Sequence, residues 1–125
     1  MVEPLSWSNI QEHTVIPGFR ARFLHSERMT LVRWHLDAGA ELPEHKHEHE
    51  QVVQVDDGEL ELIVDGSRVL LKAGDVLVIP SNAIHSGTAL TDLRLTDAFC
   101  PVREDYRGTF GRTILNDALT NRLAN

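Results

Sequence analysis

The sequence predicts an all-β fold, an antiparallel sandwich or barrel of short strands. From about residue 13 to residue 99, apolar and polar residues alternate in short runs, the period of strands and not of helices. Turn-forming residues cut these runs at spacings near ten residues, as in sandwiches and small barrels. Two of the cuts, Asp57-Gly58 and Asp65-Gly66, are hairpin dipeptides, because Gly and Asp tolerate the positive φ of a tight turn.

Each element follows from its own pattern. Leu31–Leu36 reads as a strand on which Arg33 and His35 share a face that can line a pocket mouth. Between the two Asp-Gly turns, Leu60, Leu62 and Val64 alternate with Glu59, Glu61, Ile63 and Asp65, a half-buried strand. Val76-Leu77-Val78-Ile79, closed by Pro80, is an unbroken apolar run and predicts a strand buried on both faces. Leu93, Leu95, Asp97 and Phe99 share parity and are expected to face the interior. Cys100 alternates away from them and reads as a small buried hydrophobe. Beyond Tyr106 the period changes. Ile114, Leu115, Ala118, Leu119 and Leu123 recur at helical spacing, so Thr113–Ala124 predicts a C-terminal helix packed on the β layers or on a second subunit.

Composition bounds the function. A chain of 125 residues with 42% hydrophobic and 25% charged residues is one globular domain with a single core. A net charge of −7 disfavours nucleic acid and anionic membrane surfaces as partners. Cys100 is the sole cysteine, so no internal disulfide forms, and a reducing compartment is expected. The start, Met-Val-Glu-Pro-Leu-Ser-Trp-Ser, lacks the basic and apolar regions of a signal peptide. No run approaches the ~20 apolar residues of a membrane span. A cytoplasmic protein is the expectation.

The densest chemical signal lies in Gly39–Gly58, which reads G-x5-H-x-H-x3-Q-x6-G. In an extended segment, residues 45, 47, 49 and 51 point the same way, so His45, His47 and Gln51 converge, and His85 can return from a later strand. Three imidazoles and an amide oxygen suit a divalent transition metal such as Zn, Ni, Mn or Fe. His49 shares this face, and three roles stay open for it: a ligand in place of Gln51, a residue behind the ligands that orients one of them, or an exposed side chain. His13, His25 and His35 have no ligand spacing, and Asp56, Asp57, Glu59 and Glu61 read as a solvated turn. No phosphate loop or nucleophile signature is present.

The two glycine-framed motifs resemble the cupin superfamily, whose members hold a metal inside a jelly-roll barrel. Gly39, His45, His47 and Gly58 match the first motif, with Gln51 where most cupins carry Glu. Gly74, Pro80 and His85 match the second, with Asn82 in place of its glycine and Ala89 in place of its asparagine. Asn82 tolerates a left-handed turn, so that departure is mild. The resemblance implies a single jelly-roll barrel with a short helical tail. Residues 1–28 would be N-terminal strands joining the barrel, 29–106 its core and 107–125 the tail.

A narrower resemblance runs from Met29 to Tyr106. H-x-H-x-H-x-Q and the segment Asp97-Ala-Phe99-Cys-Pro-Val-Arg103-Glu-Asp105 are similar to the pectin-degradation cupins that open 4,5-unsaturated uronates to linear keto sugars. That likeness implies a metal-dependent, non-redox enzyme acting on a small anionic sugar, with Asp97 and Arg103 catalytic and Phe99 and Arg103 binding substrate. An aspartate on an apolar face is costly without a partner, and burial raises its pKa towards a useful range. Arg103 suits a carboxylate, or else pairs with Glu104 or Asp105. A homodimer is expected, since barrel cupins often pair through an edge strand. The alternatives from the same residues are a cupin dioxygenase, a non-catalytic binding module and a purely structural metal.

Overall fold

A computed structural model of the chain describes residues 2–110. After a single 3-10 turn at Trp7–Asn9, ten strands follow: β1 (Glu12–Ile16), β2 (Phe19–His25), β3 (Thr30–Leu36), β4 (Glu41–His45), β5 (Glu50–Asp57), β6 (Glu59–Val64), β7 (Ser67–Lys72), β8 (Val76–Ile79), β9 (His85–Ala89) and β10 (Leu93–Cys100). A short helix, α1 (Glu104–Phe110), ends the described chain. The Thr113–Ala124 helix expected from the sequence lies outside the described residues. No described helix is long and apolar enough to cross a membrane.

The strands form two antiparallel sheets, ordered β1-β2-β3-β10-β5-β8 and β4-β9-β6-β7. The fold is a jelly roll of two packed sheets, not a barrel closed by hydrogen bonds, because β1 and β4 remain unpaired edges at one side. Val53, Val55, Leu60, Leu62, Ile79 and Leu93 fill the space between the sheets. Strand parity produces that core: on β10, Leu93, Leu95, Asp97 and Phe99 are buried and the residues between them turn outward.

Asp65 and Gly66, at φ 48° and 82°, make the tight β6–β7 hairpin that their sequence predicts. Asp57-Gly58 departs from the expectation. β5 pairs with β10 and β8, and β6 with β9 and β7, so this link is a crossover between sheets and not a hairpin. Its glycine is needed for two reasons. Gly58 has φ 94°, and a Cβ there would stand 2.3 Å from the Asp92 carbonyl oxygen.

Two further expectations are corrected, for β8 and for Cys100. β8 is not buried on both faces: Val76 and Val78 are 58% and 54% exposed, since β8 is an edge strand with only Leu77 and Ile79 turned inward. Cys100 is exposed, because the outer face of the six-stranded sheet meets solvent. Arg33 and His35 also face outward, away from the cavity. His35 Nε2–H donates to Asp92 at 3.1 Å, and its Nδ1 accepts from Arg20 at 3.1 Å. Their strand turns Val32, Trp34 and Leu36 towards the interior instead.

Helix α1 fixes one end of the cavity. Glu104 and Asp105 stand in its first turn, where carboxylates favour the helix dipole. Tyr106 and Phe110, one turn apart, pack on Phe23 with ring centroids 5.1 and 4.7 Å away. That anchor holds the Arg103–Asp105 segment against the sheet.

Candidate metal centre

His45 ends β4 and His85 begins β9, and the two are direct cross-strand partners, their rings 4.2 Å apart. His47 lies in the loop that follows, whose backbone carbonyl accepts from the Asn82 N–H at 2.8 Å. Asn82 adopts φ 64°, the left-handed conformation its substitution for glycine requires. One ring nitrogen from each of His45, His47 and His85 lies within 4.8 Å of the others, so the cluster can hold a metal ion.

The route to this convergence differs from strand alternation. The chain bends at Glu48 and His49, leaving the four-stranded sheet at His45 and entering the six-stranded sheet at Glu50. Gln51 therefore approaches from the opposite sheet. The same bend takes the His49 ring out of the cluster. Its Nε2–H donates to the Val102 carbonyl at 3.2 Å, and its own carbonyl accepts from His47 Nδ1–H at 3.0 Å. His49 thus lies behind His47 and steadies it through the backbone.

The hydrogen bonds fix the tautomers in favour of metal binding. Nδ1–H of His45, His47 and His85 donates to the carbonyls of Pro43, His49 and Ala83, at 2.9, 3.0 and 2.9 Å. Each Nε2 is left with a lone pair aimed inward. Burial lowers the His47 pKa to about 4, with the Arg103 charge adding to the effect, and burial also lowers that of His85. Both rings are neutral at pH 7. His85 Nε2 is buried with no hydrogen-bond partner. His47 Nε2 and Gln51 Oε1 face one another at 3.2 Å, and the opposite end of the Gln51 amide donates to Asp97. Two acceptors aimed at one point, beside an orphaned third, are the arrangement a shared cation stabilises. With four neutral donors, a divalent ion would keep its full charge of about +2.

The acid–base and cationic groups face the same space. Gln51 Nε2 donates to Asp97 Oδ1 at 2.9 Å. Burial raises the Asp97 pKa to about 7, against hydrogen bonds from Gln51 and Trp34 and the Arg103 charge. Arg103 is 7% exposed and forms the ion pair that its sequence allowed as the alternative to binding a substrate carboxylate. Its Nε and Nη2 donate to Asp105 Oδ1 and Oδ2 at 2.9 and 2.6 Å, and it also lines the cavity. Its guanidinium carbon sits 4.7 Å from the Phe99 ring centre and 4.0 Å from that of Tyr106. Burial opposes the guanidinium charge, but Asp105, with Tyr106 and Asp97 adding to it, offsets that and holds the pKa up. Phe99 meets His47 edge-on at 5.7 Å, so one ring walls both the histidines and the arginine.

Sequence reasoning missed Trp34 and Tyr106, both of which line the cavity. Trp34 has a legible signal, the inward parity it shares with Val32 and Leu36. Tyr106 has none, because its place depends on how α1 docks.

A jelly roll with histidines from β4, the following loop and β9 converging in its interior defines a cupin. A cupin domain model matches residues 32–99, and the chain belongs to that family. Among curated proteins it is similar to the pectin degradation protein KdgF of Dickeya dadantii (strain 3937), 32% identical over 83 residues that cover 65% of this chain and 76% of that one. Among solved structures it is similar to KdgF from Halomonas sp., with TM-score 0.78 and 29% identity over 84% of this chain and 98% of that one. An RmlC-like cupin from Shewanella frigidimarina NCIMB 400 is equally near in fold, with TM-score 0.78 and 32% identity over 84% and 96% of the two chains.

Proposed function

We propose that the protein is a metal-dependent, non-redox enzyme that converts 4,5-unsaturated uronate monosaccharides to linear keto-deoxyuronates during pectin or uronate breakdown. The observation that carries this reading is the Gln51 bridge, which sets the buried Asp97 carboxyl beside the three-histidine cluster and across from Arg103. The likeness to KdgF proteins supports the same chemistry.

His45, His47, His85 and Gln51 would hold the ion, which is Zn, Ni, Mn or Fe by donor chemistry. When bound, the ion supplies positive charge towards the uronate carboxylate and the ring oxygen beside it. Arg103 binds the carboxylate through the N–H groups that Asp105 does not occupy, and Phe99 covers one sugar face. Asp97, with a pKa of about 7, accepts the proton of the C1 hydroxyl as the C1–ring oxygen bond breaks. The electron pair of that bond stays on the former ring oxygen, giving an enolate at C5. Asp97 then returns the proton to C4, leaving an aldehyde at C1 and a ketone at C5. Substrate and product are isomers, so no oxidant or water is consumed.

The test is the decay of the conjugated-alkene absorbance of a 4,5-unsaturated galacturonate monomer, with protein, with chelator-treated protein and with neither. Acceleration over the blank that chelation abolishes and metal restores is the expected result. Decay at the blank rate by metal-loaded protein would overturn the reading, and oxygen uptake with candidate aromatic acids would then separate out a dioxygenase.

A further inference from the structure

The cavity does not end at the polar groups. Behind His45, His85 and Asp97 it opens into a chamber walled by Phe19, Trp34, Leu36, Leu60, Leu62 and Leu95. The whole cavity, polar corner included, has room of about 150 Å³, the size of a void that takes up one benzene ring, so the chamber's own share is smaller than a ring and suits a short chain. Gly87 lines the chamber against Leu60 and Leu62, so any side chain there must push a leucine of the wall aside. Gly87 shares the inward parity of His85 on β9, and a Cβ there would meet Leu62 Cδ2 at 3.0 Å. The approach is apolar too: Ile16 and Leu42, on the unpaired edges β1 and β4, line the same cavity while 48% and 39% exposed.

A hydroxylated sugar cannot use such a chamber well. Every hydroxyl placed among these side chains would lose its water and gain no partner. A compact hydrocarbon group loses nothing there and gains in proportion to the area it buries. The polar corner, lined by His45, His85, Gln51 and Arg103, takes an anion with two adjacent oxygens. The two halves together describe an amphiphilic ligand.

We propose that the chamber is a second subsite, and that the protein binds small chelating anions bearing a short apolar arm of a few carbons. Such ligands occupy the metal corner with their oxygens and the chamber with their hydrocarbon part. They therefore compete with any sugar that uses the corner alone.

The probe is a series of straight-chain hydroxamic acids, from acetohydroxamate to hexanohydroxamate, titrated into metal-loaded protein. Trp34 fluorescence reports binding, in a Trp7→Phe background that leaves it the sole indole. Affinity is expected to rise about fourfold per methylene over the first members and then level off as the chamber fills. A flat series overturns the proposal without recourse to any cavity variant. Gly87→Ala should end the rise about one methylene earlier and leave acetohydroxamate unchanged. A folded Gly87→Ala protein with an unaltered series would place the chains elsewhere and also overturn it. The chamber exists whether or not a uronate is the substrate, so this binding series and the turnover assay fail independently.

Discussion

Gln51 donates its amide hydrogen to Asp97 at 2.9 Å, across 46 positions of sequence and between adjacent strands of the six-stranded sheet. The same amide turns its oxygen to His47. An amide alone does both, since it has a donor at one end and an acceptor at the other. A glutamate, the usual cupin residue here, would set a carboxylate against a carboxylate. On the proposed mechanism, Gln51→Glu is therefore expected to keep its metal, by elemental analysis, but to lose about a hundredfold or more in turnover, because the pair would share the proton assigned to Asp97.

Asp97 also imposes a cost in stability that pH reveals. Its pKa is about 7 in the fold against 3.8 when unfolded. Between those values the native state binds more protons than the unfolded state, so stability falls as pH rises through that window. Asp97→Asn keeps an acceptor for Gln51 and removes the charge. The metal-free variant should melt close to wild type at pH 4 and well above it at pH 8, with an advantage of at most about 4 kcal/mol. Activity should drop by at least a hundredfold. Equal melting temperatures of the two proteins at pH 8 would contradict the buried, strained carboxylate.

Arg103 is held flat by Asp105 and by two aromatic rings, an arrangement that suits a planar fork and not a point charge. Arg103→Lys should raise KM for an unsaturated uronate by about ten- to a hundredfold, the loss of a charged hydrogen bond. It should change kcat less. A lysine variant with wild-type KM would show that the carboxylate binds elsewhere.

The crossover at Gly58 gives a prediction free of the active site. Gly58→Ala must displace the Asp92 carbonyl and accept a strained backbone, whereas Gly66→Ala has positive φ but open space around it. Urea denaturation should show Gly66→Ala destabilised by about 1 kcal/mol and Gly58→Ala by about 3 kcal/mol or more. Similar losses at the two positions would mean that the loop yields easily.

Much of this was legible in the chain before any fold was known. Alternation on Leu93–Phe99 sets Asp97 inward because a pleated strand leaves it no other choice. The Asp65-Gly66 hairpin is equally local, since its two residues supply the two positive φ values the turn needs. Failures arose where the answer depended on what lies beyond the strand. Val76–Ile79 looks buried by composition, yet a strand at a sheet edge keeps one face towards solvent. Cys100 has the parity expected of it, but the face it joins is the wet one.

The candidate site divides along the same line. The sequence by itself named the candidate donors, His45, His47, Gln51 and His85, and determined the family and the inward parity of Asp97 and Phe99, because residue type and strand period are local properties. Only the tertiary structure decided that Gln51 reaches the histidines from the opposite sheet, that His49 turns away to Val102, and that Asp105 and Tyr106 clamp Arg103. Those outcomes depend on which strands pair and how α1 docks, and both are fixed by burial summed over the whole core, which no short run of sequence contains.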